Sequence, residues 1–79
     1  MSLSETEKLR VLLPHWIEHN REHAAEFREW RERIGQSGGE GIAAQLESAT
    51  QSLEEACKAL SLALEKLGGP PGTHSLVHN

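Results

Sequence analysis

Ile34-Gly35-Gln36-Ser37-Gly38-Gly39-Glu40-Gly41-Ile42 decides how this chain folds. Four of the seven residues between the two isoleucines are glycine. Such a run cannot continue a helix and readily supplies the left-handed backbone of a tight turn. Residues 35–41 are therefore expected to be a bend. On either side of it the spacing of apolar residues is helical.

After the bend, Leu46, Leu53, Leu60 and Leu67 stand seven apart, accompanied by Ile42, Ala49, Ala56 and Ala63. Leucine alternating with alanine at this spacing makes a seam that lets two backbones come close. A second flank of Ala43, Thr50, Cys57 and Leu64 widens the apolar face. Before the bend, Leu9, Trp16, His23 and Trp30 interleave with Leu13, Asn20, Phe27 and Ile34. Together these two series give the 4-3-4-3 stripe of a helix that keeps one side toward a partner. Ser4-Glu5-Thr6-Glu7 is a capping box that starts this helix. Pro14 lacks an amide hydrogen and crowds the carbonyl of Arg10, so a kink or short break is expected at Leu12–Leu13. Gly68-Gly69-Pro70-Pro71-Gly72 supplies a left-handed cap and a helix breaker.

The fold class that follows is all-α. Residues 1–3 are an N-terminal stub, and residues 4–67 are an antiparallel hairpin. Helix 1 runs over about 5–34, the turn over 35–41 and helix 2 over about 42–67, followed by a flexible tail over 68–79. A 79-residue chain buries only about 60 % of its unfolded surface. Its single cysteine, Cys57, excludes an internal disulfide. A metal or a second copy remains as a way to stabilise so small a core, and two hairpins pairing into a four-helix bundle is the expected solution.

Charge narrows the partners. Twelve acidic residues against eight basic ones give a net charge of −4. Helix 1 carries seven acids and six bases over residues 5–34, interleaved, and helix 2 five acids and two lysines over 40–66. No basic stripe exists for a phosphate backbone, so nucleic acid is not an expected partner. No apolar run of about 18 residues is long enough to span a membrane, and Met1-Ser2-Leu3-Ser4-Glu5 does not resemble a signal peptide. A lone thiol suits a reducing compartment, and a cytoplasmic location is expected.

The residues with chemistry are the histidines. His15, His19 and His23 recur every four residues on helix 1, and His74 and His78 repeat that spacing in the tail. Four-residue spacing stacks side chains on one helix face while drifting round it by about 40° per step. The row thus runs from the solvent side at His15 into the expected seam at His23, with Glu22 and Glu26 beside it. Imidazole plus carboxylate is the ligand set of zinc and nickel sites. A metal centre of His19 and His23, completed by His15, Glu22 or Glu26, is therefore the leading expectation. The plainer reading makes His15 and His19 a solvated face and His23 a core histidine bonded to Asn20. Asn20 and His23 would then form a polar layer fixing register and oligomeric state, and the chain would be a metal-free interaction module with a protein partner. Antiparallel pairing sets Asn20 opposite Ala56 and Cys57, and His23 opposite Leu53. No phosphate loop, nucleophile elbow or His-Glu-x-x-His motif is present, and the interior carboxylates of a di-iron oxidase are lacking, so no enzyme is expected.

The stretch Pro14-His15-Trp16-Ile17-Glu18-His19-Asn20, continued by His23, Phe27 and Trp30, resembles a family of small, functionally uncharacterised bacterial and archaeal helical domains with a His-Trp-x-x-His-Asn…His signature. Similar segments look to be joined to domains like the nickel-binding protein CooT. That resemblance covers helix 1 and implies nickel as the metal, carried onto His15, His19, Asn20 and His23; the CooT-like β domain itself is not in this chain.

Overall fold

The computed structural model describes residues 4–71, so the expectations for residues 1–3 and for the tail with His74 and His78 lie outside the described residues. Two helices, α1 (Glu5–Gln36) and α2 (Glu40–Lys66), pack against each other as an antiparallel hairpin. Among the described residues there is no strand, and no helix is long and apolar enough to cross a membrane.

α1 begins where the capping box places it. Ser4 Oγ accepts from the Glu7 amide at 3.2 Å, and the Ser4 amide donates to Glu7 Oε1 at 3.0 Å. The helix then continues through Pro14. The break expected at Leu12–Leu13 is absent, because Leu13 and Ile17, on either side of the proline, are both buried against α2 and hold the helix in place. One lost hydrogen bond costs less than uncovering those two side chains.

The turn is shorter than the glycine run. α1 extends two residues past the expected end, α2 starts two earlier, and three residues, Ser37 to Gly39, reverse the chain. The amide of Gly39 donates to the carbonyl of Ile34 at 2.8 Å, and Gly38 has the positive φ of 87° that this closure needs. Gly39 is required for a different reason: a Cβ there would lie 2.7 Å from Ile34 Cγ1 and 3.1 Å from its carbonyl oxygen. The other end of α2 carries the left-handed cap, with Gly68 at φ 94° and Gly69 at φ 86°. The amide of Gly69 reaches back to the carbonyl of Leu64 at 2.9 Å. Arg10 Nε donates to the carbonyl of Gly69 at 3.0 Å, tying this cap to the start of α1.

The seam differs by one position from the expected one. Leu13, Asn20, Phe27 and Ile34 do face α2, buried or half-buried. Their companions are Arg10, Ile17, Ala24 and Arg31, which are buried or half-buried, and not Leu9, Trp16, His23 and Trp30, which are all exposed. On α2 the leucines at 46, 53, 60 and 67 are shared, and the side toward α1 is Ala43, Thr50, Cys57 and Leu64. Thr50 is 3 % exposed and bonds its own helix, Oγ1 donating to the Leu46 carbonyl at 2.8 Å. The Cys57 thiol points at the carbonyl of Ile17, 3.7 Å away.

Among the described residues Leu13, Ile17 and Ala24 alone form the buried apolar core, and no side chain is less than 2 % exposed. A hairpin with so little interior is thin by construction. Whatever further apolar surface it carries must lie on the outside.

Candidate functional site

The two edges of the hairpin have opposite character. Seam residues on α1 are followed by Arg21 and Arg28, and on α2 by Glu47, Glu54 and Ser61. Arg28 pairs with Glu54 and Arg31 with Glu47, so positions just after the seam leucines and Phe27 define one edge. A shallow groove of about 390 Å³ between Arg21, Cys57, Ser61 and Glu65 lies along it. Positions just before the seam must then lie on the other edge, since 100° steps in an antiparallel pair bring preceding positions to the same side. These are Leu9, Trp16, His23 and Trp30 on α1, and Ile42, Ala49, Ala56 and Ala63 on α2.

That second edge is apolar and open. Trp16 is 41 %, Trp30 55 % and Ile42 58 % exposed, and Leu9 and Leu12 are also exposed. The two indoles alone present on the order of 200 Å². Ile42, Leu9 and Leu12 join them, so five of the seven exposed large apolar side chains among the described residues lie on or beside this edge, and contiguous apolar patches of about a few hundred Å² commonly mark an interaction site.

The histidine row crosses the outer side of α1 from His15 and reaches this edge at His23. The rings of His15 and His19 are 4.5 Å apart, those of His19 and His23 6.2 Å apart, and His23 lies 6.4 Å from Phe27. All three histidines are exposed. His23 is thus not a core residue: its imidazole stands outside the α1–α2 seam, and its Nδ1 faces Glu26 Oε1 at 3.4 Å. The polar layer expected from Asn20 and His23 reduces to Asn20 alone, half-buried. Of the five ligand candidates, His15, His19, His23 and Glu26 share one strip, while Glu22 is exposed with no contact to them among the described ion pairs. Among the described residues no group of three or more His, Cys, Asp or Glu side chains is arranged to hold a metal ion. One chain offers pairs of imidazoles, and a pair is half of a four-ligand shell.

Sequence reading missed the ion-paired edge. Its signal was available: Arg31 stands about as far before the turn as Glu47 stands after it, and Arg28 and Glu54 follow outward on the same two helices.

The described residues define a small all-helical class, a two-helix hairpin with one ion-paired edge and one apolar edge that bears His23. Within it, this chain belongs to the family of the DUF8180 domain of unknown function, which matches residues 9–67. It is also similar to an uncharacterized protein of Archaeoglobus fulgidus, 37 % identical over 62 residues that cover 78 % of this chain and 98 % of that protein. No solved structure matches the chain.

Proposed function

We propose that this protein is a non-enzymatic, cytoplasmic assembly module that pairs with a second copy of itself through the apolar edge, giving a four-helix bundle. The supporting observation is the mismatch between its core and its surface. Among the described residues three apolar side chains are buried, while two tryptophans and Ile42 are about half exposed on one edge. Two helices lying side by side 8–10 Å apart, and about 40 Å long over the 27 residues of α2, offer a face of roughly 800 Å². That is the ~800 Å² each partner contributes to a standard interface. Sedimentation equilibrium across a hundredfold range of concentration tests this. A mass of twice 8.7 kDa that falls toward 8.7 kDa on dilution is expected; a single 8.7 kDa species throughout would contradict it.

Metal handling, with nickel or zinc as the ion, is the second reading. The adjacent His15, His19 and His23 rings favour it, and the resemblance to segments joined to CooT-like domains favours nickel. Among the described residues no three-ligand group is arranged within one chain, so this reading draws on the first.

A further inference from the structure

We propose that the two copies meet α1 against α1, antiparallel, and that His19 and His23 of both chains together form a site for one divalent transition-metal ion on the twofold axis. The inference rests on the self-pairing reading above. It follows from where the histidines fall along the helix.

A twofold axis perpendicular to α1 relates residues at equal distances on either side of it. The middle of α1 (Glu5–Gln36) falls between Asn20 and Arg21, and Arg21 is also midway between His19 and His23. An axis at that level sets His19 of one chain beside the partner's His23, and His23 beside the partner's His19. The same axis brings Leu12 level with the partner's Trp30, apolar against apolar.

α2 agrees with this placement. The Cys57–Ile17 contact puts Arg21 level with Leu53, the Arg31–Glu47 pair puts it level with Cys57 and the Arg28–Glu54 pair with Ser61, so the axis crosses α2 near the middle of these, at about Ala56 and Cys57. An axis there sets Ala56 against the partner's Ala56 and Ala49 against the partner's Ala63. Small residues facing small residues let helix axes approach closely. In the alternative twofold arrangement α1 lies on the partner's α2. It sets the imidazoles of His19 and His23 against alanine methyls, where they find no hydrogen-bond partner. Polar groups covered without a partner are costly. The α1-on-α1 arrangement gives them one another and a metal.

The side chains suit the task. Both are exposed, so they turn without disturbing the seam. Their rings are already 6.2 Å apart, and modest rotations bring nitrogens into the shell of an ion that binds imidazole at about 2.0–2.1 Å. Glu26 holds Nδ1 of His23 at 3.4 Å, which leaves Nε2 as the metal-facing nitrogen. A carboxylate behind a ligating imidazole is the usual second partner in such sites. His15 lies one turn further from the axis and is not a ligand here.

Native mass spectrometry of the full chain separates the outcomes. The protein is stripped with chelator, and zinc or nickel is then added at half an equivalent per chain. The expected result is a dimer carrying one ion, a His19→Ala/His23→Ala variant that remains dimeric without the ion, and a His15→Ala variant that binds as the parent does. A dimer that takes up no ion, or a double variant that binds it equally well, would overturn the site while leaving self-pairing intact. A chain that stays monomeric with and without metal would overturn both. Circular dichroism of the double variant checks that helicity is unchanged, as the exposure of both residues requires.

Discussion

One edge of the hairpin is finished and the other is not. Along the first, Arg28 meets Glu54 and Arg31 meets Glu47, so the side chains that flank the seam satisfy one another within a single chain. Along the second, Trp16, Trp30 and Ile42 face outward beside half-buried alanines, and His23 stands exposed there with Glu26 and Phe27 beside it. The contrast teaches that burial within this chain and burial of its apolar sequence are different quantities. The seam between α1 and α2 consumes only part of the hydrophobic pattern. Much of the rest is exposed on the surface of the hairpin.

The comparison can be broken most severely at the seam itself. Ile17→Ala removes one of three buried apolar side chains. Substitutions of this kind cost about 2–5 kcal/mol, which is a large part of the stability of a small domain. Loss of the cooperative transition in thermal circular dichroism is expected, and a melting curve like the parent's would show that the seam is not where the fold is held. Gly39→Ala comes next. Its Cβ would sit 2.7 Å from Ile34 Cγ1, so the turn must shift, at a cost of about 1–3 kcal/mol by the usual scale of overpacking. Urea titration measures that loss, and a neutral result would mean that Ile34 swings away freely.

Substitution on the open edge sharpens the contrast. Trp30→Ser is expected to leave monomer helicity unchanged and to raise the dimer dissociation constant tenfold or more, since truncating a tryptophan at an interface commonly costs at least about 1.4 kcal/mol. Dilution series followed by sedimentation read this directly, and an unaltered constant would place Trp30 outside the contact. The smallest effect belongs to the finished edge. Arg28 and Glu54 are each close to half exposed, and solvent-screened pairs contribute about 0.2–1 kcal/mol. A double-mutant cycle with Arg28→Gln and Glu54→Gln should return a coupling in that range and no change in oligomeric state.

Much of the fold was legible because the decisive signals were local. The glycines of the turn, the Ser4–Glu7 capping box and the Gly68–Gly69 cap each specify backbone geometry from a few neighbouring residues, and each forms as the sequence suggests. The seam was legible only in part. Leu13, Asn20, Phe27 and Ile34 face inward as their spacing implies. Their companion series was misjudged by one position, because Trp16 and Trp30 outweigh Ala24, Arg10 and Arg31 in any count of apolar character. Contact between helices obeys a different criterion. A small residue such as Ala24 lets the axes approach, and an arginine lays its methylenes along the seam while its charged end finds Glu47 or a helix cap. The same shift moved His23 from the interior to the rim. The histidine row was readable from spacing alone. Its distance from the seam was not, because that depends on which side of α1 packs against α2.

The most direct test places a charge on each edge in turn. Ala56→Glu introduces a carboxylate at the half-buried centre of the open face, and Ser61→Glu introduces one on the ion-paired side. Light scattering of the two variants beside the parent then reads their masses. Dimeric parent and Ser61→Glu proteins with a monomeric, still helical Ala56→Glu protein are the expected result. A parent that is monomeric at every concentration, or a dimer lost in Ser61→Glu and kept in Ala56→Glu, would contradict the assignment of the open edge as the place where a second copy binds.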